Sequence, residues 1–115
     1  MKIGEIAKLL DAEVLCGNLD GEVKSACGSD MMSDVLAYVK DQAVLLTGLL
    51  NPQVIRTAMM MDMQCVVFVR GKRPTPDVLS LAESCKMTVL TTNERLYTAC
   101  GKLYEAGLRG GDQIE

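Results

Sequence analysis

The chain has 115 residues, the length of one ordinary domain. Hydrophobic residues make up 49% of it, which excludes disorder through low hydrophobicity, and aromatic residues only 3%, so aliphatic, methionine and cysteine side chains must build the core. The net charge of −3, with basic residues scattered, argues against a nucleic-acid binder, and no apolar run is long enough to span a membrane.

The five cysteines point to a reducing compartment. They are odd in number and widely spaced, they contain no C-x-x-C pair, and the N-terminus has no signal-peptide pattern. We therefore predict a cytoplasmic protein in which most cysteines are small buried hydrophobic residues. Because the thiols are not clustered and the chain has no histidine, we expect no metal site and no cofactor.

The first third of the chain reads as short elements. Apolar spacing predicts a helix over residues 3–11, a short strand at 13–16 and a second short strand at 23–27. Residues 31–39 are ambiguous, with a short helix as one interpretation.

From residue 43 the pattern becomes regular. Continuous apolar runs predict buried strands near 43–48, 65–69 and 88–91. Each run is followed by a breaker and then by helical periodicity, which is typical of strands joined by helical crossovers.

The three helix starts carry capping signals. Asn51-Pro52 and Thr75-Pro76 each place a capping residue before a proline, and the first of these helices is predicted to run to about Met63. Thr92 or Asn93 caps the last helix, which we expect to end near residue 107.

These elements predict the α/β class: a single-domain, three-layer-type sandwich whose sheet is mainly parallel and includes the short N-terminal strands. Residues 1–115 form this one domain, and residues 107–115 are expected to be a loose C-terminal tail.

Three segments, TGLLNPQVIRTA, VFVRGKRPTPDVLSLAE and TVLTTNERLYTA, resemble the DRTGG domain. This module is found beside CBS domains in regulated pyrophosphatases, in phosphotransacetylases and as short stand-alone proteins. The opening MKIGEIAKLLDAEVLCG also resembles the start of the Mur ligase N-terminal domain and of its relative in HPr kinase/phosphorylase. The resemblance implies a homodimeric regulatory domain without catalysis of its own. The residues that name the family are not intact, since Asn51-Pro52 replaces Asp-Arg and Val69-Arg70-Gly71 replaces Thr-Gly-Gly.

A ligand of an open parallel sheet binds outside the carboxyl ends of the strands. Glycines there let a ligand approach the backbone, helix starts present free N–H groups, and a short basic run adds charge for a phosphate or carboxylate. The candidate ligand-binding residues are Thr47, Gly48, Asn51, Arg70, Gly71, Lys72, Thr91 and Thr92. Ordinary turn and cap chemistry explains the same residues, so an anion or nucleotide pocket is one of two interpretations.

A small polar cluster, Ser29, Asp30, Ser33 and Asp34, precedes and enters the ambiguous segment. Asp30 or Ser33 is a candidate cap for a short helix there. The cluster could instead line the same pocket at the carboxyl ends of the strands, or bind a cation through carboxylate oxygens.

Four methionines, Met59, Met60, Met61 and Met63, fall in a helix whose apolar residues cannot all face one sheet. Methionine suits adaptable contacts, so we predict that some of them form a homodimer interface. Surface-exposed methionines without a partner are the alternative.

The leading hypothesis is a dimeric, non-catalytic regulatory module that senses a small anionic metabolite or nucleotide or relays a signal to a partner protein. The second is a pure protein–protein interaction subunit without a small ligand. The third, an enzyme, is less favoured because a catalytic cysteine is difficult to activate without histidine.

Overall fold

The computed structural model describes residues 1–38 and 42–110. Its helices and strands follow the predicted order. In the chain they are α1 (Ile3–Leu9), β1 (Glu13–Cys16), β2 (Ser25–Gly28), α2 (Met32–Tyr38), β3 (Ala43–Thr47), α3 (Pro52–Met60), β4 (Cys65–Phe68), α4 (Pro76–Ser84), β5 (Thr88–Thr91) and α5 (Leu96–Glu105). None of the helices in this part of the chain is both long and apolar enough to cross a membrane.

The strands of the described residues form one five-stranded sheet in the order β1-β5-β4-β3-β2. Strands β2, β3, β4 and β5 are mutually parallel, which confirms the predicted parallel pairing of the three buried strands. Strand β1 runs antiparallel to β5 at one edge, and β2 forms the other edge. The carboxyl ends of β2, β3, β4 and β5 therefore meet along one side of the sheet.

The core lies on both faces of the sheet, because side chains alternate along each strand. On one face, Leu45 and Phe68 pack with the buried residues of α2, α3 and α4. On the other face, Leu46 and Leu90 pack with those of α1 and α5. Two helical layers thus enclose the sheet, as the predicted three-layer sandwich requires.

Four helices end in the same way. After α1, α3, α4 and α5 one residue adopts a positive φ, and the next N–H bonds back to the helix at 2.9–3.0 Å. The left-handed residues are Asp11 (φ 49°), Asp62 (φ 55°), Lys86 (φ 59°) and Gly107 (φ 109°). The helix predicted to reach Met63 therefore ends at Met60, and Met63 packs into the core with 5% exposure.

Two predicted caps were wrong. Helix α5 begins at Leu96, with Arg95 in the capping position, so neither Thr92 nor Asn93 caps it. The Thr92 hydroxyl instead donates to the Leu10 carbonyl at 2.6 Å.

The cap expected for the ambiguous segment was also wrong. Helix α2 begins at Met32, which places Asp30 two residues before the helix and Ser33 inside it. Residue 39, which closed the predicted segment, lies outside the described residues, and the second strand is Ser25–Gly28 instead of 23–27.

Residues 107–110, where the sequence predicts the start of a loose C-terminal tail, include residues that pack against the rest of the fold. Leu108 is buried at 5% exposure, and the Arg109 carbonyl accepts a hydrogen bond from the Ala26 N–H at 2.9 Å. Residues 111–115 of that tail lie outside the described residues. At the other end, the Met1 amino group contacts the Glu22 carboxylate at 2.6 Å. Met1 and residues 106–108 line one cavity of about 420 Å³, so the first residue lies close to the end of α5.

Candidate functional site

The turn after β4 holds Arg70 in an unusual backbone conformation. Arg70 and Gly71 have φ of 61° and 68°, and the Lys72 N–H donates to the Val69 carbonyl at 3.2 Å. Two left-handed central residues define a type I′ turn, in which glycine is common and arginine is not. The turn is held because the Arg70 N–H donates to the Glu94 carbonyl at 2.8 Å. The fold therefore fixes the point from which the Arg70 side chain leaves the sheet edge.

The Arg70 guanidinium packs against Gly48, at the end of the neighbouring strand β3. A Cβ atom on residue 48 would lie 2.2 Å from Nη2 of Arg70 and 2.9 Å from its Cζ, so this position requires glycine if the guanidinium is to stay. Arg70 is exposed, and its side chain forms no hydrogen bond or ion pair with any residue of 1–38 or 42–110. The guanidinium is thus positioned by packing and keeps its donors for another group.

We call the space around Gly48 and Arg70, at the carboxyl ends of β3 and β4, the crevice. Asp30 lies between the ends of β2 and β3 and contacts this crevice through Thr47 and Gly48. Its Oδ1 accepts hydrogen bonds from the Gly48 N–H at 2.7 Å and from the Thr47 hydroxyl at 2.9 Å. The Gly48 bond first, and then the Thr47 bond and the charges of Arg70 and Lys72, lower the pKa of Asp30, although partial burial acts in the opposite direction. The carboxylate is therefore ionised near neutral pH and satisfies both donors.

Several other predicted site residues have structural bonds. The Asn51 side chain accepts from the Gln53 N–H at 2.8 Å, which confirms it as the cap of α3. The Thr91 hydroxyl donates to the Lys72 carbonyl at 2.6 Å and so ties the turn to β5. Turn and cap chemistry thus accounts for Asn51, Thr91 and Thr92.

The predicted site divides into two parts. Thr47, Gly48 and Arg70 meet around Asp30, whereas Gly71 and Thr91 line a separate polar cavity of about 220 Å³ beside β1. The other residues around that cavity are Asp11, Glu13, Arg73 and Asn93. Arg73 already binds the Glu13 carboxylate with two hydrogen bonds of 2.8 and 3.0 Å, so this cavity offers less free positive charge than the crevice at Arg70.

In the polar cluster only Asp30 has bonds to the candidate ligand-binding residues. The Ser29 hydroxyl accepts from the Met31 N–H at 3.0 Å within its own loop, and Asp34 is exposed on α2. Within residues 1–38 and 42–110, no three His, Cys, Asp or Glu side chains come close enough to hold a metal ion. The sequence did not predict which residues Asp30 contacts. Its position just after the strand at the edge of the sheet was the one signal for these contacts.

The methionines of α3 divide between surface and core. Met59 and Met60 are 46% and 66% exposed, and Met61 is half-buried. Met63 belongs to the core of the single chain, so its side chain is not available to an interface. The interface prediction therefore keeps Met59, Met60 and Met61.

The fold and this crevice define a doubly covered, mainly parallel α/β domain with a polar, cationic carboxyl edge. The DRTGG domain family model matches residues 5–106, and the chain belongs to this family. No curated protein sequence is significantly similar to it.

The structure is similar to that of the CBS and DRTGG domains of the regulatory region of Clostridium perfringens pyrophosphatase, which was determined in complex with its activator, diadenosine tetraphosphate. The TM-score is 0.75 and the sequence identity 15%, over 97% of this chain and 52% of the other, so the chain spans about half the length of that regulatory region. At this identity the similarity establishes the fold. The relation to the Mur ligase and HPr kinase domains stays a prediction.

Proposed function

We propose that this chain is a non-catalytic regulatory module that senses a small anionic metabolite or nucleotide at the carboxyl edge of β3 and β4. Its membership of the DRTGG family supports a regulatory role. The similar regulatory region was determined with a polyphosphate activator, which is the ligand chemistry a cationic crevice would favour. The same role leaves room for a homodimer and for a partner protein that receives the signal.

The observation that carries the proposal is the Arg70 guanidinium, which packs on Gly48 and has no hydrogen bond or ion pair with residues 1–38 or 42–110. An arginine fork can grip phosphate or carboxylate through two parallel hydrogen bonds, and the packing against Gly48 positions the fork before a ligand arrives. The Lys72 ammonium, on the same turn, adds a second positive charge that also acts on Asp30. An anion at this edge would therefore meet two cations and one carboxylate.

The experiment is calorimetric titration with diadenosine tetraphosphate, ATP and inorganic pyrophosphate. Loss of a charge-assisted, bidentate contact predicts that Arg70→Ala weakens binding about tenfold or more. Arg56→Ala is the matched control, because Arg56 is an exposed arginine of α3, away from the crevice. The proposal is overturned if the wild-type chain binds none of these anions, or if Arg70→Ala and wild type have equal affinities.

A second candidate function, an interaction subunit, rests on the exposed methionines Met59 and Met60. Flexible apolar side chains on one helix suit a packed interface, and the occupant expected from the sequence is a second copy of this chain. In sedimentation velocity, wild type should be dimeric at micromolar concentration and Met59→Glu/Met60→Glu monomeric. Met31→Glu alters another exposed methionine, 60% exposed, and should leave the dimer intact. A monomeric wild type would remove the interface.

A further inference from the structure

The Thr47 hydroxyl and the Gly48 N–H converge on a single oxygen. Both donate to Oδ1 of Asp30, at 2.9 and 2.7 Å, and the Arg70 guanidinium lies directly against Gly48. Two converging donors beside a cation form a binding place for an oxyanion, since short hydrogen bonds to an ionised acceptor are the strongest ones a protein makes. In the free chain that oxyanion is the protein's own carboxylate.

We infer that the Thr47 hydroxyl, the Gly48 N–H and Arg70 form the subsite for the anionic group of the ligand, and that Asp30 occupies this subsite until the ligand displaces it. The inference rests on the proposed function and deepens it. Asp30 is exposed and lies in the connection between β2 and α2, so its side chain can turn to water without unpacking the core. A ligand oxygen in its place would accept the same two hydrogen bonds.

Exchange with Asp30 also defines the class of ligand. The charges of Arg70 and Lys72 favour the anionic form of the group beside Thr47 and Gly48, so an anionic ligand competes with the Asp30 carboxylate better than a neutral one. A monocarboxylate would make the same hydrogen bonds as the Asp30 carboxylate that it replaces. It would therefore gain no free energy to offset the entropy lost when it is immobilised. A phosphoryl group has three oxygens and up to two charges, so it can engage Thr47, Gly48 and Arg70 together. The subsite therefore favours a phosphoryl group, whether free or carried by a nucleotide.

Two substitutions of Asp30 separate displacement from simple charge repulsion. Asp30→Asn removes the charge but keeps the Oδ1 acceptor for Thr47 and Gly48, so the subsite stays filled. Asp30→Ala removes both charge and acceptor and opens it. Asp34→Ala is the matched control, because it removes an exposed acid of the adjacent helix that has no side-chain bond to these donors.

Affinity for inorganic pyrophosphate is measured by calorimetry, with inorganic phosphate, ATP and adenosine as further arms. Relative to wild type, Asp30→Ala should bind pyrophosphate about tenfold more tightly, since one charge-assisted competitor is gone. Asp30→Asn should gain about threefold or less, and Asp34→Ala should stay within about twofold. The affinity for ATP should increase in the same way as the affinity for pyrophosphate, and adenosine should bind none of the three variants. Tighter binding of ATP than of pyrophosphate would identify a nucleotide as the source of the phosphoryl group.

The wild-type chain provides an independent measurement. At saturating pyrophosphate the NMR signals of the Gly48 amide and of the Asp30 carboxyl carbon should both shift, because the carboxylate leaves the amide. Equal gains for Asp30→Asn and Asp30→Ala, or an unchanged Asp30 carboxyl signal at saturation, would overturn displacement while Arg70-dependent binding kept the proposed function. Absence of binding in wild type and every variant would overturn both.

Discussion

Replacing Gly48 by alanine should disable the crevice while leaving the fold almost intact. The new Cβ would lie 2.2 Å from Nη2 of Arg70, and an ordinary contact begins at 3.4 Å, so the guanidinium must retreat by at least 1.2 Å (3.4 minus 2.2). The obstacle is the far end of a flexible, exposed side chain, which can swing into water. Gly48 is not among the glycines with positive φ, so alanine fits the backbone there.

Two magnitudes follow from this geometry. The unfolding free energy should change by less than about 1 kcal/mol, because the clash is relieved at the surface and alanine lowers the entropy of the unfolded chain. Affinity for pyrophosphate should fall about ten- to hundredfold, the equivalent of one charge-assisted contact of about 1.5–3 kcal/mol. Urea unfolding followed by circular dichroism gives the first quantity, and calorimetric titration gives the second.

The control is Gly101→Ala in α5, where a new Cβ meets nothing within 4 Å. It should stabilise the chain by roughly 0.5–1 kcal/mol, as alanine does in place of glycine within a helix, and leave binding unchanged. If Gly48→Ala binds pyrophosphate as wild type does, the Arg70 guanidinium does not bind the anion from its position on Gly48. A loss of stability above about 2 kcal/mol would show that the guanidinium cannot move as supposed.

Asn51→Ala should destabilise the chain by about 1 kcal/mol in urea unfolding, because it removes the side-chain hydrogen bond that caps α3. Thr75 has the same position in α4 but no side-chain cap bond, so Thr75→Ala should cost less than about 0.5 kcal/mol. Equal losses would contradict the cap assignment. The lowered pKa of Asp30 stabilises the fold at pH values above its ordinary pKa of 3.8, and this contribution disappears as the pH falls through the lower, folded value. Wild type should therefore lose more stability than Asp30→Asn below about pH 4 in acid titrations of the unfolding free energy, and parallel curves would argue against it. Complete burial strongly raises the pKa of the Cys65 thiol. Iodoacetamide should therefore label half-buried Cys85 in the native chain and Cys65 only after unfolding. Labelling of Cys65 in the native chain, detected by mass spectrometry, would contradict its burial.

The sequence predicted the strands and helix starts better than the helix ends. Strands buried on both faces are continuous apolar runs, and an asparagine or threonine before a proline marks the start of α3 and α4. Helix ends depend on which residue takes the left-handed conformation. At Asp62 and Lys86 this residue has an ordinary side chain, so nothing in the local pattern distinguishes the end from one more helical turn.

The candidate site could be predicted only in part, because its central contact links residues that are distant in sequence. The ends of parallel strands share one edge, which brought Gly48 and Arg70 together in the prediction. Periodicity does not state strand order, and the place of β2 beside β3 is what carries Asp30 to Thr47 and Gly48. The folded structure is therefore needed to show that Asp30 already accepts hydrogen bonds from Thr47 and Gly48.

The closeness of Met1 to residues 106–108 has a consequence for how this fold is used in larger proteins. A polypeptide that enters the domain at residue 1 and leaves it after residue 108 does so through a single side of the domain. Such a unit can be spliced into a surface loop of a host protein with little strain on either partner. Genetic permutation, in which a short linker joins the segment after residue 108 to residue 1 and new termini are opened elsewhere, should be tolerated for the same geometric reason.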